Sequence, residues 1–275
     1  MSVMMKIAKY IVFALFFFTL FAVAPQTHAS SGQNRYLVYS SSSFVHKTFG
    51  PARHDFGYAF SADLTPFQLR IAKIFGVAIK PISKLHISAL NVTADTVISQ
   101  SSTKQKITVA ILDTGSDVED KNGHGAQIAN IIKNSVGSNV GIVMYQVCDE
   151  DGDCYADDVA QGIYSAVADG ARIINMSFGS DRPSDLIDDA IQKAVEHDVM
   201  MVAAAGNNGP FSDSVEYPAN HSDVIAVGAL SDSGSIAEWS SRGDVDAWEP
   251  GEYKTIAGTS VSAAYFTARN AKLLK

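Results

Sequence analysis

The fold is decided by the segment ITVAILDTG, which comprises residues 107–115. A short apolar run rich in Val and Ile, closed by a turn, is typical of a strand that is buried on both faces of a parallel sheet. The run ends at Asp113, so a carboxylate directly follows a buried strand. We therefore predict an α/β fold in which functional side chains stand at the ends of strands.

The alternation of buried strands and amphipathic helices continues along the rest of the chain. Further strands are predicted at residues 141–147, 172–176, 199–204 and 224–230. Helices are predicted between them, because apolar residues recur four apart from Asp157 to the stop at Gly170, and again after Ser184. This order predicts a mostly parallel sheet with helices on both faces, joined by right-handed crossovers.

Residues 1–29 are predicted to be a signal peptide. Lys6 and Lys9 precede the apolar run 11–24, and small residues stand before a cut after Ala29. A membrane anchor is the alternative, but the run is shorter than the roughly 20 residues that span a bilayer. The protein is therefore expected to be secreted or periplasmic, with no membrane association once the signal peptide is removed.

Residues 30–105 are expected to form a small α+β domain and a linker ahead of a larger domain, residues 106–275. Strands of the small domain are predicted at 35–39, 56–62 and 77–82. Between the last two, a helix is predicted over residues 65–76, where Thr-Pro opens it and Gly stops it. Ser, Thr, Asn and Gln dominate residues 88–105, which predicts a linker and a place for proteolytic cutting.

Composition and charge narrow the class of partner. The chain has 275 residues, of which 47% are apolar, and this is enough for a sizeable core. Its formal net charge is -8 at pH 7 and it has no evident cluster of Lys and Arg, so nucleic acid is not an expected partner. We expect a monomer.

Cys148 and Cys154 are the two cysteines of the chain, and they flank an acidic segment that contains an Asp-Gly turn signal. In an exported protein the two thiols are expected to meet across this turn and form a disulfide, with two free thiols as the alternative. The acidic loop also offers carboxylates for calcium, but it lacks the downstream Glu of a complete calcium loop. No metal site is predicted.

Four side chains with complementary chemistry follow predicted strands or begin predicted helices. They are the carboxylate of Asp113, the imidazole of His124, the amide of Asn207 and the hydroxyl of Ser260. Taken singly, each has a structural explanation as a turn, helix-start or helix-cap residue. Together they supply an acid, a base, a hydrogen-bond donor and a nucleophile on one rim, which predicts a site for acyl transfer.

The segments that carry these groups resemble the subtilisin-like serine proteases. The segments are VAILDTG (109–115), NGHG (122–125), INMSFG (174–179), AAAGN (203–207) and GTS (258–260). Upstream, residues 58–66 resemble the inhibitory propeptide of the same family. The resemblance implies a secreted serine endopeptidase that acts on peptides or proteins. It also implies a self-processing proenzyme that is inhibited by its own pro-region, residues 30–105.

The resemblance assigns roles to the residues of the site. It implies that Ser260 is the nucleophile, that His124 is the general base, and that Asp113 orients the imidazole. The Asn207 amide and the Ser260 backbone N–H would bind the oxyanion. The expected lining of the pocket for the side chain before the cut is Ser177, Phe178, Gly179, Ala204, Ala205 and Gly206. Residues 177–179 are also expected to pair with the substrate backbone.

Glu216 is the residue that the resemblance connects with specificity. It lies in VEYP (215–218), which matches a family segment at the floor of the pocket. A carboxylate there would favour Lys or Arg in the substrate. The alternative is that Glu216 points to solvent.

The chain also departs from the family pattern. The span from Asp113 to His124 is short and few residues follow Ser260, so the usual calcium ligands have no counterpart. Residues 125–127 and Ala264 differ from those that are usual in the family. No cofactor is expected to be required, and calcium is not predicted.

Two other functions stand as alternatives. The segments DTG (113–115) and DSG (232–234) have the form of the paired aspartates of an aspartic protease, which predicts two all-β lobes. A catalytically inactive relative that binds peptides is the second alternative, and the departures from the family pattern favour it.

Overall fold

The computed structural model describes residues 34–90, 107–115 and 122–274. The predicted signal peptide lies outside the described residues, as does most of the predicted linker. Within the described part, no helix has the length and apolar character needed to cross a membrane. The chain from Arg35 onward packs as one unit.

Within this unit, the first part of the described chain forms a small α+β substructure with an apolar cluster of its own, which is called the small domain below. Its elements are β1 (Arg35–Val38), α1 (Ser43–Phe49), β2 (Phe60–Asp63), α2 (Pro66–Phe75) and β3 (Ile79–Pro81). The three strands form an antiparallel sheet in the order β2-β1-β3. Thr65 and Gln68 form a complete capping box at the start of α2, and Gly76 ends the helix in the left-handed conformation.

Two features of this domain differ from the sequence prediction. The strand predicted at residues 56–62 begins only at Phe60, because Gly57 has a φ of 83° and turns the chain before the strand can start. Helix α1 is not predicted, since its sequence SFVHKTF contains few strong helix formers. Its one buried residue, Phe49, packs in the same apolar cluster as Phe60, so tertiary packing stabilises this short helix.

The larger domain confirms the predicted α/β architecture. After the small domain and strand β4 (Lys84–Ile87), its elements are β5 (Ile107–Asp113), α3 (His124–Ser135), β6 (Val140–Gln146), β7 (Asp153–Tyr155), α4 (Ala156–Ala168), β8 (Ile173–Met176), β9 (Phe178–Gly179), α5 (Asp185–Val195), β10 (Met200–Ala204), β11 (Ile225–Leu230), β12 (Ala247–Pro250), β13 (Glu252–Tyr253), β14 (Ile256–Ala257) and α6 (Thr259–Leu273). Six strands form the central sheet in the order β12-β11-β10-β8-β5-β6, and each neighbouring pair in it is parallel.

Helices cover both faces of the central sheet because its strands are apolar on both sides. Along β5, Val109 and Ile111 belong to the core shared with α3 and α6. Ala110 and Leu112 belong to the core on the opposite face, which is shared with α4 and α5. This burial on both sides fixes β5, and with it the position of Asp113 at its carboxyl end.

The parallel sheet argues against the aspartic protease alternative, which requires two all-β lobes. Asp232 lies in an exposed turn after β11, where the Gly234 N–H donates to the Ser231 carbonyl oxygen at 2.8 Å. We therefore discard that alternative.

A second antiparallel sheet connects the two parts of the chain. In it, β4 lies between β7 and β9 and is antiparallel to both. The sequence does not predict β4, because the strand is short and its hydrogen-bond partners come from distant parts of the chain. Residues 88–90, predicted as the start of a linker, continue from this strand and make backbone hydrogen bonds with Ser177, Ala257 and Ser260.

Candidate active site

Asp113 and His124 form a hydrogen-bonded pair that is fully buried. Nδ1 of His124 lies 2.7 Å from Oδ1 of Asp113, which also accepts a hydrogen bond of 2.8 Å from the Thr114 N–H. A carboxylate beside Nδ1 keeps a proton on that nitrogen, so Nε2 of the neutral ring carries the free lone pair. Nε2 has no hydrogen-bond partner among the described residues. The imidazole is therefore oriented to accept a proton at Nε2.

Two glycines place His124 at the first position of α3. Gly123 has a φ of 77°, a conformation that residues with side chains rarely adopt. A Cβ on Gly125 would overlap the carbonyl oxygen of Gly115, and the Gly125 N–H donates a 3.0 Å hydrogen bond to Oγ1 of Thr114. Helix α3 thus starts in direct contact with the turn after β5.

Ser260 lies at the second position of α6 and is fully buried. Its Oγ donates a hydrogen bond of 2.6 Å to the carbonyl oxygen of Ser88 and lies 3.2 Å from that of Ser177. Its backbone N–H donates to the same Ser88 oxygen at 3.3 Å. The predicted nucleophile, the Ser260 hydroxyl, is therefore hydrogen-bonded to a peptide carbonyl. In this arrangement Nε2 of His124 makes no hydrogen bond to Ser260.

Asn207 is held by the residue that precedes the serine. Its Oδ1 accepts hydrogen bonds from the N–H of Thr259 at 3.0 Å and from Oγ1 of Thr259 at 3.1 Å. Both bonds use the amide oxygen, so the amide nitrogen stays available as a donor. A Cβ on Gly258 would lie 3.3 Å from Nδ2 of Asn207 and 2.5 Å from the Ser88 oxygen. The amide nitrogen and the Ser88 carbonyl thus border one small space, which is open because residue 258 is glycine.

The segment that contains Ser88 crosses the site as an extended strand. His86 pairs with Gly179, and Ile87 pairs with Phe178. Beyond this pairing, the Ser88 N–H donates to the Ser177 carbonyl oxygen at 2.9 Å, and the Leu90 N–H donates to the Ala257 carbonyl oxygen at 2.8 Å. These contacts lie on both sides of the Ser88–Ala89 peptide bond. They hold that bond opposite Ser260.

The side chain of Glu216 lies against two glycines of the predicted pocket. It is half-buried; a Cβ on Gly179 would overlap its carboxylate, and a Cβ on Gly206 would lie 2.7 Å from its Cδ. Nδ2 of Asn208 donates a hydrogen bond of 2.5 Å to Oε1. Burial raises the pKa of Glu216, and the hydrogen bond from Asn208 partly offsets this rise. The carboxylate therefore stands between two backbone segments that are predicted to line the pocket.

The other predicted pocket residues occupy several environments. Oγ of Ser177 accepts a 2.9 Å hydrogen bond from the Asn175 amide, and that amide oxygen accepts one of 2.9 Å from Thr267. This buried polar link between β8 and α6 is not predicted from the sequence. Ala204 belongs to the apolar core on the α6 side, and Ala205 is buried. Their place in the lining of the pocket stays a prediction.

The predicted disulfide between Cys148 and Cys154 is present, with the two Cα atoms 4.0 Å apart. It closes the hairpin that leads into β7, and β7 is one of the two neighbours of β4. The bridge therefore supports one wall of the cleft in which β4 lies.

A charged cluster links the small domain to α4. Nη1 of Arg35 lies 2.9 Å from Oδ1 of Asp157 and 2.6 Å from Oδ2 of Asp158, and Nε2 of His54 lies 2.7 Å from Oδ1 of Asp158. His54 and the two aspartates bring donor atoms of a metal-ligand type within 4.8 Å of one another. Because Arg35 already supplies a positive charge there, we assign the cluster to the contact between the domains rather than to a metal.

Comparison with known sequences gives the chain its family. The model of the subtilase family (Peptidase_S8) matches residues 82–275. The chain is 31% identical over 208 residues to a subtilisin of Bacillus sp. (strain TA39), across 60% of this chain and 50% of that protein. It is 33% identical over 177 residues to the minor extracellular protease Epr of Bacillus subtilis (strain 168), across 58% of this chain and 27% of that protein. The chain thus spans half or less of the length of these two relatives.

Two solved structures have a similar fold. The protease domain of PatA, solved as a mutant, gives a TM-score of 0.56 at 25% identity and covers 62% of this chain and 79% of that one. A lanthipeptide protease gives a TM-score of 0.54 at 23% identity and covers 61% of this chain and 72% of that one. This second likeness is evidence for the fold alone. Since the family model matches more than half of the residues and the fold agrees with it, the chain belongs to the subtilase family.

Proposed function

We propose that this chain is a serine endopeptidase, made as an exported proenzyme, that cleaves its own Ser88–Ala89 bond. The observation that carries the proposal is the contact of Ser260 with the Ser88 carbonyl oxygen, at 2.6 Å from the hydroxyl and 3.3 Å from the backbone nitrogen. A peptide held as a strand, with its carbonyl on a buried serine at a helix start, suits nucleophilic attack. Residues 1–29, with the features of a signal peptide, and the extracellular relative support export.

In the proposed reaction, the Ser260 hydroxyl rotates toward Nε2 of His124, which takes its proton as Oγ attacks the Ser88 carbonyl carbon. Asp113 stabilises the imidazolium through its 2.7 Å contact with Nδ1. The Ser260 backbone N–H and the Asn207 amide nitrogen bind the oxyanion. The imidazolium then protonates the leaving amine, and a water molecule hydrolyses the acyl-enzyme to free a carboxylate at the end of the pro-region.

The pro-region is proposed to stay bound as an inhibitor after the cut. Its strand β4 fills the cleft between β7 and β9. Outside the cleft, polar contacts are Arg35 with Asp157 and Asp158, Lys80 with Asp185 at 2.5 Å, and the Tyr58 hydroxyl with Asp189 at 2.8 Å. The exposed Lys80 pair is expected to contribute little, whereas removal of Arg35 would leave the carboxylate of Asp157 buried without its cation.

Intact mass and N-terminal sequencing of the purified protein test self-processing. The wild type is expected to begin at Ala89, whereas Ser260→Ala is expected to keep its pro-region because it has no nucleophile. Ser262→Ala is the matched control, since the Ser262 hydroxyl donates to the carbonyls of Glu249 and Pro250 and lies on the same helix. This control is expected to process like the wild type.

Full-length protein in all three samples, each shown to be folded, would overturn the proposal. It would favour the inactive peptide-binding alternative, which the lack of a hydrogen bond from Ser260 to Nε2 of His124 also favours. If processing depends on Ser260 but the cut lies elsewhere in residues 88–105, the proposed activity is retained and the assignment of the Ser88–Ala89 bond is wrong.

We also propose that Glu216 favours Lys or Arg immediately before the cut. The position of its carboxylate between Gly179 and Gly206 supports this preference. The processed wild type is expected to cleave a Lys peptide roughly tenfold more efficiently than its Gln counterpart, and Glu216→Gln to lose the difference. Because burial raises the pKa of Glu216, its charge is lost as the pH falls through that raised value, so the preference should weaken at acid pH.

The pro-region itself offers Ser88 at this position and so does not use the carboxylate as a countercharge. If Glu216 instead fills the pocket, small residues such as Ser should be preferred, and Glu216→Gln should leave that preference unchanged. That result would contradict the proposed role of the carboxylate.

A further inference from the structure

We propose that Asp153 is a specificity-determining residue that selects peptides with basic side chains three and five residues before the cut. The inference rests on the proposed function, since it takes the Ser88–Ala89 bond as the cleaved bond. With that bond, His86 is the third residue before the cut and Lys84 is the fifth. The substrate class is therefore an extended peptide in which basic and aliphatic residues alternate upstream of the cut.

One carboxylate contacts both basic side chains. In the antiparallel pairing of β4 with β7, His86 lies opposite Asp153 and Lys84 lies opposite Tyr155. Residues two apart in a strand share a face, so both basic side chains stand on the side of Asp153. Oδ2 of Asp153 lies 2.5 Å from Nζ of Lys84, and Oδ1 lies 2.7 Å from Nδ1 of His86. Each carboxylate oxygen thus contacts a different side chain of the bound strand.

The contact with Lys84 is better shielded than an ordinary surface ion pair. The side chain of Asp153 is 19% exposed and that of Lys84 is 34% exposed. Nζ of Lys84 also lies 4.9 Å from the centre of the Tyr155 ring, within the range of a cation–π contact. The hydrogen bond to Asp153 raises the pKa of Lys84, so the amine stays charged. His86 is 66% exposed and is expected to contribute less.

The opposite face of β4 is apolar and binds without regard to charge. Leu85 is fully buried in the same apolar cluster as Cys154 and Phe178. The Ile87 N–H donates a 3.2 Å hydrogen bond to the carbonyl oxygen of Gly152. These contacts fix the register of a bound strand. Peptides that bind in this register are then distinguished by the charge of the side chains on the other face of the strand.

The hairpin that carries Asp153 is closed at its base. The Cys148–Cys154 disulfide links its two arms, and the Asp149 N–H donates to the Asp153 carbonyl oxygen at 2.9 Å. The Asp153 N–H in turn donates to Oδ1 of Asp149 at 3.0 Å. These bonds fix the backbone that carries the Asp153 side chain, and a prearranged site loses less conformational entropy when it binds a cation. The hairpin therefore presents Asp153 in a position prepared for the substrate.

Cleavage of matched peptides by the processed enzyme tests the inference. One peptide has the sequence ISKLHISALNV of residues 82–92, and the second has Ala at the positions of Lys84 and His86. The wild type is expected to cleave the first with about tenfold higher kcat/KM, and Asp153→Asn to cleave both within about twofold. Asp151→Asn, which removes a charge at an exposed position of the same hairpin, is expected to keep the wild-type preference.

The outcomes separate this inference from the proposed function. Equal preference in the wild type and Asp153→Asn would overturn the inference and leave the protease activity intact. If neither peptide is cleaved, hydrogen exchange of residues 84–88 in the full-length Ser260→Ala chain becomes the readout. Asp153→Asn and Lys84→Ala are each expected to speed that exchange several-fold, and the double variant to add little.

If the effects of Asp153→Asn and Lys84→Ala on the exchange rate add in the double variant, the inference is overturned, because the two side chains then do not act together. If the two substitutions are coupled but neither peptide is cleaved, Asp153 remains part of a peptide-binding site and the proposed protease activity is overturned instead.

Discussion

Replacing His124 with alanine is expected to lower kcat for a peptide substrate by roughly 10⁴-fold or more, with little change in KM. The expectation follows from the geometry of the pair at the end of β5. Nδ1 is committed to Asp113 at 2.7 Å, and Nε2 is buried without a partner among the described residues. His124 is the proposed base, so removal of the imidazole removes the acceptor for the hydroxyl proton. The measurement is steady-state hydrolysis by processed enzyme, or the rate of self-processing where the variant stays full length.

A second substitution separates catalysis from stability. His124→Ala removes the 2.7 Å contact between the imidazole and the buried carboxylate of Asp113, so the variant should also be less stable. His124→Gln keeps a donor near that carboxylate but cannot act as a base at neutral pH, and it should be equally inactive. His197→Ala, at an exposed position in the turn after α5, is the matched control and should keep wild-type activity. Retention of more than about a tenth of kcat by a folded His124→Gln protein would contradict the assigned base.

Much of the fold could be predicted because its signals are local. Each strand of the central sheet from β5 to β11 is a short apolar run, and its predicted ends lie within one residue of those in the structure. Polar residues that interrupt such runs stand at strand ends, and in a parallel sheet those ends share an edge. That is why the sequence predicts Asp113 and Asn207 on one rim.

The features that the sequence did not predict depend on partners that are distant along the chain. Strand β4 has one fully buried residue, Leu85, and its pairing is supplied by β7 and β9, so its own pattern contains little strand signal. The contact of Ser88 with Ser260 depends on that pairing. The acidic hairpin carried a turn signal and a disulfide signal, but the contact of Asp153 with Lys84 appears only when β4 is in place.

Thr259 is a further residue whose role required the structure. In the sequence it is the middle residue of a Gly-Thr-Ser run, where a helix cap is the ordinary explanation. Its hydroxyl instead donates to Oδ1 of Asn207 at 3.1 Å and accepts a 3.0 Å hydrogen bond from the Gly206 N–H. Thr259 therefore acts as a positioning residue for the amide that borders the Ser88 carbonyl.

Removing the Asn207 amide is expected to lower kcat by roughly 100- to 1000-fold while KM stays near the wild-type value, because the donor acts on charge that develops only in the transition state. Asn207→Leu is the variant of choice, since it keeps a similar volume and removes both the donor and the acceptor. Asn207→Asp keeps an acceptor for Thr259 but brings a negative charge toward the oxyanion, so it should be no better than Leu. Both variants are to be compared with wild type in kcat and KM on one peptide, after their folding has been checked by thermal unfolding.

The bonds from Thr259 make this prediction sharper. If Thr259 contributes to catalysis only by orienting Asn207, Thr259→Val should lower kcat by roughly tenfold in the wild-type background and by little in the Asn207→Leu background. Its effect on stability should be similar in both backgrounds, because the Gly206 N–H loses its acceptor in each. If Asn207→Leu instead kept more than about a third of kcat, the oxyanion would be bound by the Ser260 backbone N–H alone, and the space beside Gly258 would serve only to admit the substrate carbonyl.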